Sequence, residues 1–333
     1  MKSKFDVSMP SRAGLAIRRT GRLARLVAAG FPLLAMSAVH AVGPPVKTQG
    51  AGYYRATLGD FEITTVLDGA LALDTSTLLT NTKPGQVDAL LAKQFLKSPV
   101  ETSINTFLIN TGTKLVLVDT GANGLFGPTT GKFLTNLKAA GYTPEQIDDV
   151  VITHMHGDHI GGLVTNGKRT FPNAVVHADK HDADYWLSKE QAAKSKDTSF
   201  KMATDAFQPY IDAKKFQAFE GGETIVPGVQ SIAAHGHTPG HTIYVVESKG
   251  QKLVLWGDLL HVAAVQFPEP TVTIQFDSDS KAAEAQRQKA LADAAAGGYW
   301  VGIAHVPFPG LGHVRKEGTG YAWVPINYSP SGK

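Results

Sequence analysis

The chain of 333 residues contains no cysteine. That absence excludes disulfides, thiolate metal ligands and a thiol nucleophile together, so stability has to come from a packed core and from bound groups. A G-x-S-x-G segment, the elbow that presents a catalytic serine, is also missing. Water attack is thereby favoured over a covalent protein intermediate. Charge of one sign is scarce: 32 Lys and Arg stand against 29 Asp and Glu, a formal +3. Residues 1–41 hold seven of the basic side chains against the single Asp6, which leaves about −3 for the remainder by the same count. Such a balance does not indicate a nucleic-acid-binding surface. There is no internal repeat, and the most apolar stretch, 26–39, is interrupted by Gly30 and Pro32 and is short for a membrane span.

What is present begins with that basic segment. Arg18, Arg19, Arg22 and Arg25 precede the apolar stretch, and Val39-His40-Ala41 closes it with small residues, the pattern of a secretion signal over 1–41. An uncleaved anchor is the competing reading, and Arg18-Arg19 leaves twin-arginine export open beside the general route. The expectation is a periplasmic or secreted protein with no membrane anchor after cleavage. Residues 42–52, rich in Pro and Gly, read as an extended leader, and 53–333 as a single domain whose 43% hydrophobic composition is ample for a large core. Strands are expected near 60–66, 104–110, 114–118, 149–153, 174–177, 229–233, 242–247, 252–256 and 300–304. Helices are expected near 84–95, 130–140, 179–188, 201–212 and 279–296.

The densest chemical signal is T-H-M-H-G-D-H at 153–159. His154, His156, Asp158 and His159 lie directly after the apolar run Val150-Val151-Ile152, on the loop where a buried strand ends. In extended chain His154 and His156 project to the same side, and Gly157 lets the backbone turn before Asp158 and His159. Two ligand pairs aimed in two directions imply two metal ions. Three later apolar runs are each flanked by candidate ligands: His235, His237 and His241 in H-G-H-T-P-G-H before one strand, Asp258 after Leu253-Val254-Leu255-Trp256-Gly257, and His305 after Val301-Gly302-Ile303-Ala304. Spacing alone does not choose among the three histidines of the second segment. Place at the strand end favours His305 over His313. The bland readings are a turn-capping role for Asp258 and ordinary hydrogen-bonded roles for His40, His177 and His181.

The order H-x-H-x-D-H, H-T-P-G-H, strand-Asp, strand-His, preceded by Asp119-Thr120-Gly121 after Leu115-Val116-Leu117-Val118, resembles the metallo-β-lactamase superfamily of hydrolases. The resemblance implies an α/β fold, the αβ/βα sandwich of two mixed sheets flanked by helices, with a dinuclear metal centre at the shared edge. Carried over by motif, His154, His156 and His237 would hold one ion, and Asp158, His159 and His305 the other, with Asp258 bridging. His235 and His241 would then support ligands, and Asp119 would tie down its strand end. Two divalent ions would ionise a shared water near neutral pH, and Asp158 and Asp258 would be the catalytic carboxylates. The donor set suits zinc, which the relatives favour, but also manganese, cobalt or iron.

A closer resemblance runs through most of the chain after residue 50. Gly52-Tyr53-Tyr54-Arg55, Leu58-Gly59-Asp60-Phe61-Glu62-Ile63-Thr64, Gly124-Leu125-Phe126-Gly127-Pro128-Thr129 and Val262-Ala263-Ala264-Val265-Gln266-Phe267 are similar to the methyl parathion hydrolase and dihydrocoumarin hydrolase group. That group implies a secreted homodimer that opens aryl lactones, cleaves aryl esters or hydrolyses organophosphate triesters, with Phe126, Trp186 and Phe200 forming an aromatic wall over the metals. At Leu78, His261, Ile274 and Phe276 the chain departs from the parathion-hydrolysing members, which carry a basic residue, Leu, Thr and Leu. A pocket narrowed by Ile274 and Phe276 would disfavour a tetrahedral phosphate and admit a flat lactone. The expectation is therefore lactone and aryl ester hydrolysis with promiscuous phosphotriester turnover. A phosphotriesterase, an acyl homoserine lactonase, a β-lactamase proper, a glyoxalase-like thioester hydrolase and a secreted metal-binding protein are the alternatives.

Overall fold

The computed structural model describes residues 43–330 and 332, so the expected signal segment lies outside the described residues. The compact unit that carries the features below is Gln49–Lys333. Its first sheet holds β1 (Tyr53–Leu58), β2 (Phe61–Leu73), β3 (Val100–Asn110), β4 (Leu115–Val118), β5 (Asp149–Val151), β6 (Val175–Asp179) and β7 (Phe216–Phe219), side by side in that order. β1 to β4 pair antiparallel and β4 to β7 parallel. The second sheet holds β8 (Thr224–Val226), β9 (Val229–Ala233), β10 (Thr242–Ser248), β11 (Gln251–Leu255), β12 (Trp300–Gly302), β13 (Leu311–Glu317) and β14 (Gly320–Pro325). All its pairings are antiparallel except β11 with β12.

Alternation along the strands sorts the apolar residues into layers, because successive side chains point to opposite faces. Phe107, Ile109, Val116, Val118 and Val151 turn inward and meet Tyr244, Val246, Leu253 and Leu255 between the sheets. Their neighbours Leu108, Leu117, Val150 and Val176 turn outward under α2 (Phe133–Ala139), α3 (Lys180–Trp186) and α5 (Ser199–Asp212). The second sheet repeats the arrangement, with Val245, Val254 and Val301 packed on Ala290, Leu291 and Ala294 of α6 (Ser280–Gly297). Two further helices are α1 (Gln86–Lys93), which packs with Leu73, Leu79 and Val100 in a separate apolar cluster, and the short α4 (Lys189–Lys194). Each fully buried aliphatic side chain contributes about 1.5–3 kcal/mol relative to exposure, so these three apolar layers hold the sandwich together. Sheets with both faces covered give the αβ/βα order that the resemblance implies.

Local rules account for the element ends. α6 starts at Asp279, whose carboxylate accepts from the backbone of Lys281 and Ala282, and stops at Gly298, where φ is +61°. The strand expected at 60–66 runs on to Leu73, and the strands at β1, β7, β8, β13 and β14 were not expected. β13 shows why: Arg315, Lys316 and Glu317 in its second half are exposed, so this strand near the sheet edge lacks a continuous apolar signal. Among the described residues no helix is long and apolar enough to cross a membrane.

Topology determines where the functional loops go. β4 and β5 run parallel, as do β11 and β12, and two antiparallel steps make β9 point the same way as β11. The C-terminal ends within each sheet are thus delivered to one edge. β5 and β12 end at Val151 and Gly302, earlier than the expected 153 and 304, because the chain leaves the ladder there to present its polar residues.

Candidate metal centre

Four loops meet at that edge. His154 and His156 follow β5, and a single helical turn, Gly157–Ile160, carries Asp158 and His159. His237 comes from the β9–β10 loop, Asp258 from the end of β11 and His305 from the end of β12. Gly257 admits the last approach of Asp258: its φ is +53°, and a Cβ there would lie 2.8 Å from the His241 ring.

The side chains form two groups that share Asp258. In the first, His156 Nδ1 lies 3.1 Å from His154 Nε2 and 3.0 Å from His237 Nε2. Asp258 Oδ2 stands 3.6 and 3.4 Å from those two Nε2 atoms. In the second, His159 Nε2 is 3.4 Å from Asp158 Oδ2 and 3.2 Å from Asp258 Oδ1. His305 Nε2 is 3.3 Å from Asp158 Oδ2 and 3.1 Å from Asp258 Oδ1. A tetrahedron of ligands at about 2.05 Å from a divalent ion has edges of about 3.3 Å, which is the spacing found in both groups.

Hydrogen bonds do not account for all of these contacts: His156 Nδ1 is within hydrogen-bond distance of His154 and His237 Nε2, and His305 Nε2 is 3.2 Å from Asp258 Oδ2. His159 Nε2 and Asp258 Oδ1 are buried and close, yet neither makes a hydrogen bond. Buried polar atoms left unpaired cost about 1–3 kcal/mol each, whereas lone pairs converging on one point suit a cation. The donor set fits two divalent metal ions.

Outer partners set the ring orientations. His154 Nδ1 meets the Thr153 hydroxyl at 3.1 Å, His159 Nδ1 meets Asp119 Oδ2 at 2.8 Å, and His237 Nδ1 meets Asp277 Oδ1 at 2.9 Å. His305 Nδ1 donates to the Ser103 carbonyl at 2.8 Å. Each contact leaves Nε2 facing the centre. His241 is held as the neutral ring: burial pushes it down to about 3, its Nδ1 lies 3.2 Å from the Ala234 carbonyl, and its Nε2 accepts the Asp258 backbone N–H at 3.0 Å. His241 thus supports Asp258, whereas His235 turns away to Asp179.

Electrostatics follow from burial and charge. Burial opposes ionisation of Asp258, but His159, His305, His154 and His261 around it keep its carboxyl well below the usual range. Burial alone would depress His237 and His305; Asp258, with Asp277 for the former and Asp158 for the latter, outweighs it and raises them to about 9 and about 10. His156 is pushed down to about 3, mostly by burial. Cations are drawn to such a site because its carboxylates are ionised and buried.

Sequence reading missed several supports. Asp182, fully buried at the start of α3, accepts from Met155 N at 2.9 Å, Thr238 Oγ1 at 3.0 Å and Gly240 N at 2.6 Å. It ties the loop of His154 and His156 to that of His237. Asp182→Ala would strand two buried N–H groups and is expected to cost about 2–4 kcal/mol. Calorimetry of the metal-free variant measures this; an unchanged melting temperature would remove Asp182 from the framework. Arg287, also buried, donates to the carbonyls of Leu259, Pro270 and Val272 and holds the segment after Asp258. Only distance in the fold brings these residues to the site, so periodicity carried no signal for them.

Above the two groups opens a cleft of about 960 Å³, with Leu78, Phe126, Trp186, His261 and Phe276 on its walls. Phe126 and Phe276 are 45% and 41% exposed, so both rings are available to a bound molecule. Two pocket expectations require correction. Phe200 does not face the cleft but is buried behind the wall, 4.9 Å from the Trp186 ring and 5.3 Å from Tyr185. Ile274 is buried in a separate apolar cluster with Leu79 and Val272 and pairs with Leu79 in a two-residue ladder. An alternating strand turned its side chain inward, leaving His261 and Phe276 to shape that wall. His261 lies on the cleft wall against the ligands, its Nε2 3.1 Å from Asp258 Oδ2 and its ring stacked 5.2 Å from His305. His177 and His181, as read, are hydrogen-bonded to Asp149 and Asp179.

Two histidine–aspartate groups joined by one carboxylate, at the edge of an αβ/βα sandwich, define a metal-dependent hydrolase. The chain belongs to the metallo-β-lactamase superfamily, whose family model matches residues 99–305. The N-acyl homoserine lactonase of Bacillus cereus is 27% identical over 231 residues, 66% of this chain and 84% of that protein. That of Bacillus thuringiensis is 29% identical over 168 residues, 45% of this chain, and only 60% of its length is spanned. Among solved structures, the hydrolase AbOPH of the β-lactamase superfamily superposes with TM-score 0.81 at 38% identity, covering 85% of this chain and all of that one. AidC, a dizinc quorum-quenching lactonase with bound product, superposes with TM-score 0.76 at 27% identity, covering 84% and 98%.

Proposed function

We propose that this enzyme opens aryl lactones of the dihydrocoumarin type and cleaves aryl esters, with slower hydrolysis of organophosphate triesters such as methyl parathion. The observation that carries the reading is a cleft with aromatic walls whose floor is the shared carboxylate Asp258. His154, His156, His237 and Asp258 would hold one ion and Asp158, His159, His305 and Asp258 the other, zinc being the proposed metal. When bound, such ions lower the pKa of water and polarise a carbonyl oxygen.

The chain's own residues do the rest. Phe126, Trp186 and Phe276 offer faces and edges on which a flat aromatic substrate stacks, and they exclude water from the ester carbon. Asp158 is the more open carboxylate, its side chain 15% exposed against 3% for Asp258, and borders the cleft. It is suited to pass a proton toward the leaving oxygen, a small demand when that oxygen becomes a phenolate. Burial keeps His261 below its ordinary pKa although Asp258 pulls it upward, so a neutral ring narrows the cleft beside the reacting centre.

A second reading, N-acyl homoserine lactone hydrolysis, is favoured by the lactonases among the relatives and by a cleft whose volume, about 960 Å³, leaves room for an acyl chain. Rates of the zinc-loaded protein on dihydrocoumarin, methyl parathion and an acyl homoserine lactone, with a chelated control, separate the readings. The expected order places dihydrocoumarin first. Faster turnover of the homoserine lactone would install the second reading, and faster methyl parathion turnover would overturn the pocket argument. His261→Leu is expected to raise kcat/KM for methyl parathion roughly tenfold by withdrawing the ring that reaches Asp258 Oδ2 and leaving room for a tetrahedral centre there. Unchanged or reduced turnover in that variant would count against His261 as the selective element.

A further inference from the structure

A second cluster of metal-ligating side chains lies outside the centre described above. Asp179 ends β6 and caps α3; its Oδ1 accepts from the His181 backbone at 2.8 Å and lies 2.9 Å from His181 Nδ1. Its other oxygen has no such work. Asp179 Oδ2 is buried and without a hydrogen-bond partner, and the side chain as a whole is 0% exposed. His235 Nε2, 3.5 Å from that oxygen, is also buried and unpartnered. The rings of His181 and His235 stand 4.7 Å apart, and one ligand atom from each of the three residues lies within 4.8 Å of the others.

An orphaned carboxylate oxygen facing an orphaned imidazole nitrogen is costly unless something fills the gap. We propose that Asp179, His181 and His235 bind a third divalent ion of the zinc, nickel and copper class. Two imidazoles and one carboxylate suit those ions better than magnesium or calcium, which prefer all-oxygen cages. His181 is 55% exposed on its side chain and His235 33%, so water completes the coordination on the open side. Three protein ligands and solvent access give weaker binding than at the buried pair of sites.

The location supplies a role. His235 precedes His237 by two residues in the same loop, while Asp179 and His181 belong to the junction of β6 and α3. An ion there ties this loop to the first sheet beside the tie made by Asp182, so excess metal braces the loop that carries a ligand of the dinuclear centre.

Diffraction from crystals of the full chain soaked in zinc, with anomalous data at the zinc edge, tests the assignment. The expected result is a peak among Asp179, His181 and His235 besides those at the dinuclear centre. A filled dinuclear centre with no such peak overturns the proposal. Zinc titration in solution gives a second reading: His181→Ala and Asp179→Asn should each bind one equivalent fewer than the natural chain. His181→Ala should hydrolyse dihydrocoumarin at the natural rate once its remaining sites are filled. Equal stoichiometry in all three proteins overturns the site, and neither metal count depends on which substrate the enzyme prefers.

Discussion

Asp258→Asn is expected to lower kcat/KM about a thousandfold, near 4 kcal/mol of transition-state stabilisation, and to release metal. Asp258 is the only residue common to both ligand groups, and the group of His154, His156 and His237 contains no other anion. Asparagine keeps the size and removes the charge. It also aims an amide N–H₂ at imidazole nitrogens on one side or the other, since His154, His237 and His261 surround Oδ2, His159 faces Oδ1 and His305 reaches both oxygens. Metal content by mass spectrometry should fall below two equivalents per chain while circular dichroism stays native. Two retained equivalents with a rate within tenfold of the natural chain would refute the bridging role.

The second large effect is expected at Asp119, which touches no substrate. Its carboxylate accepts from Thr153 N and Thr153 Oγ1, both at 2.8 Å, and meets His159 Nδ1 at 2.8 Å. The residue sits at φ +61°, a conformation that costs most side chains but is tolerated by Asp and Asn. Asp119→Asn therefore preserves the turn and changes only the hydrogen-bond polarity. An amide N–H₂ facing His159 Nδ1 drives the proton to Nε2, the wrong tautomer for the second metal group. Loss of 10–100-fold in metal affinity or activity is the usual effect of such a change. The signature is selective: the second group, of Asp158, His159 and His305, should empty first, which cobalt substitution and absorption spectroscopy resolve. Equal loss from both groups would mean that Asp119 acts on the fold as a whole.

These expectations mark how far the sequence could be read. Asp119 was legible as a strand-end residue from the apolar run before it, but its contact with His159 spans 40 positions and became visible only in three dimensions. The cluster at 153–159 announced a metal site because imidazoles and carboxylates have no ordinary reason to crowd into one loop. By contrast Asp277, Asp182 and Arg287 stand among common polar residues and gain their roles from neighbours 40, 27 to 58 and 15 to 28 positions away. The pocket was the least legible part. Its aromatic walls, Phe126, Trp186 and Phe276, carry no ligand chemistry that marks them in the sequence, and at Ile274 the alternation of a two-residue strand sent the side chain into the core.

By itself the sequence determined the class of chemistry, the order of the β-strands that bear ligands and the absence of thiol-based alternatives, since these depend on residue type and local spacing. Tertiary structure alone decided that Asp258 faces both ligand groups, that His241 supports it while His235 turns to Asp179, and which aromatic rings reach the cleft. Those outcomes depend on strand direction and on packing to within an ångström, which residues far apart in the chain settle together.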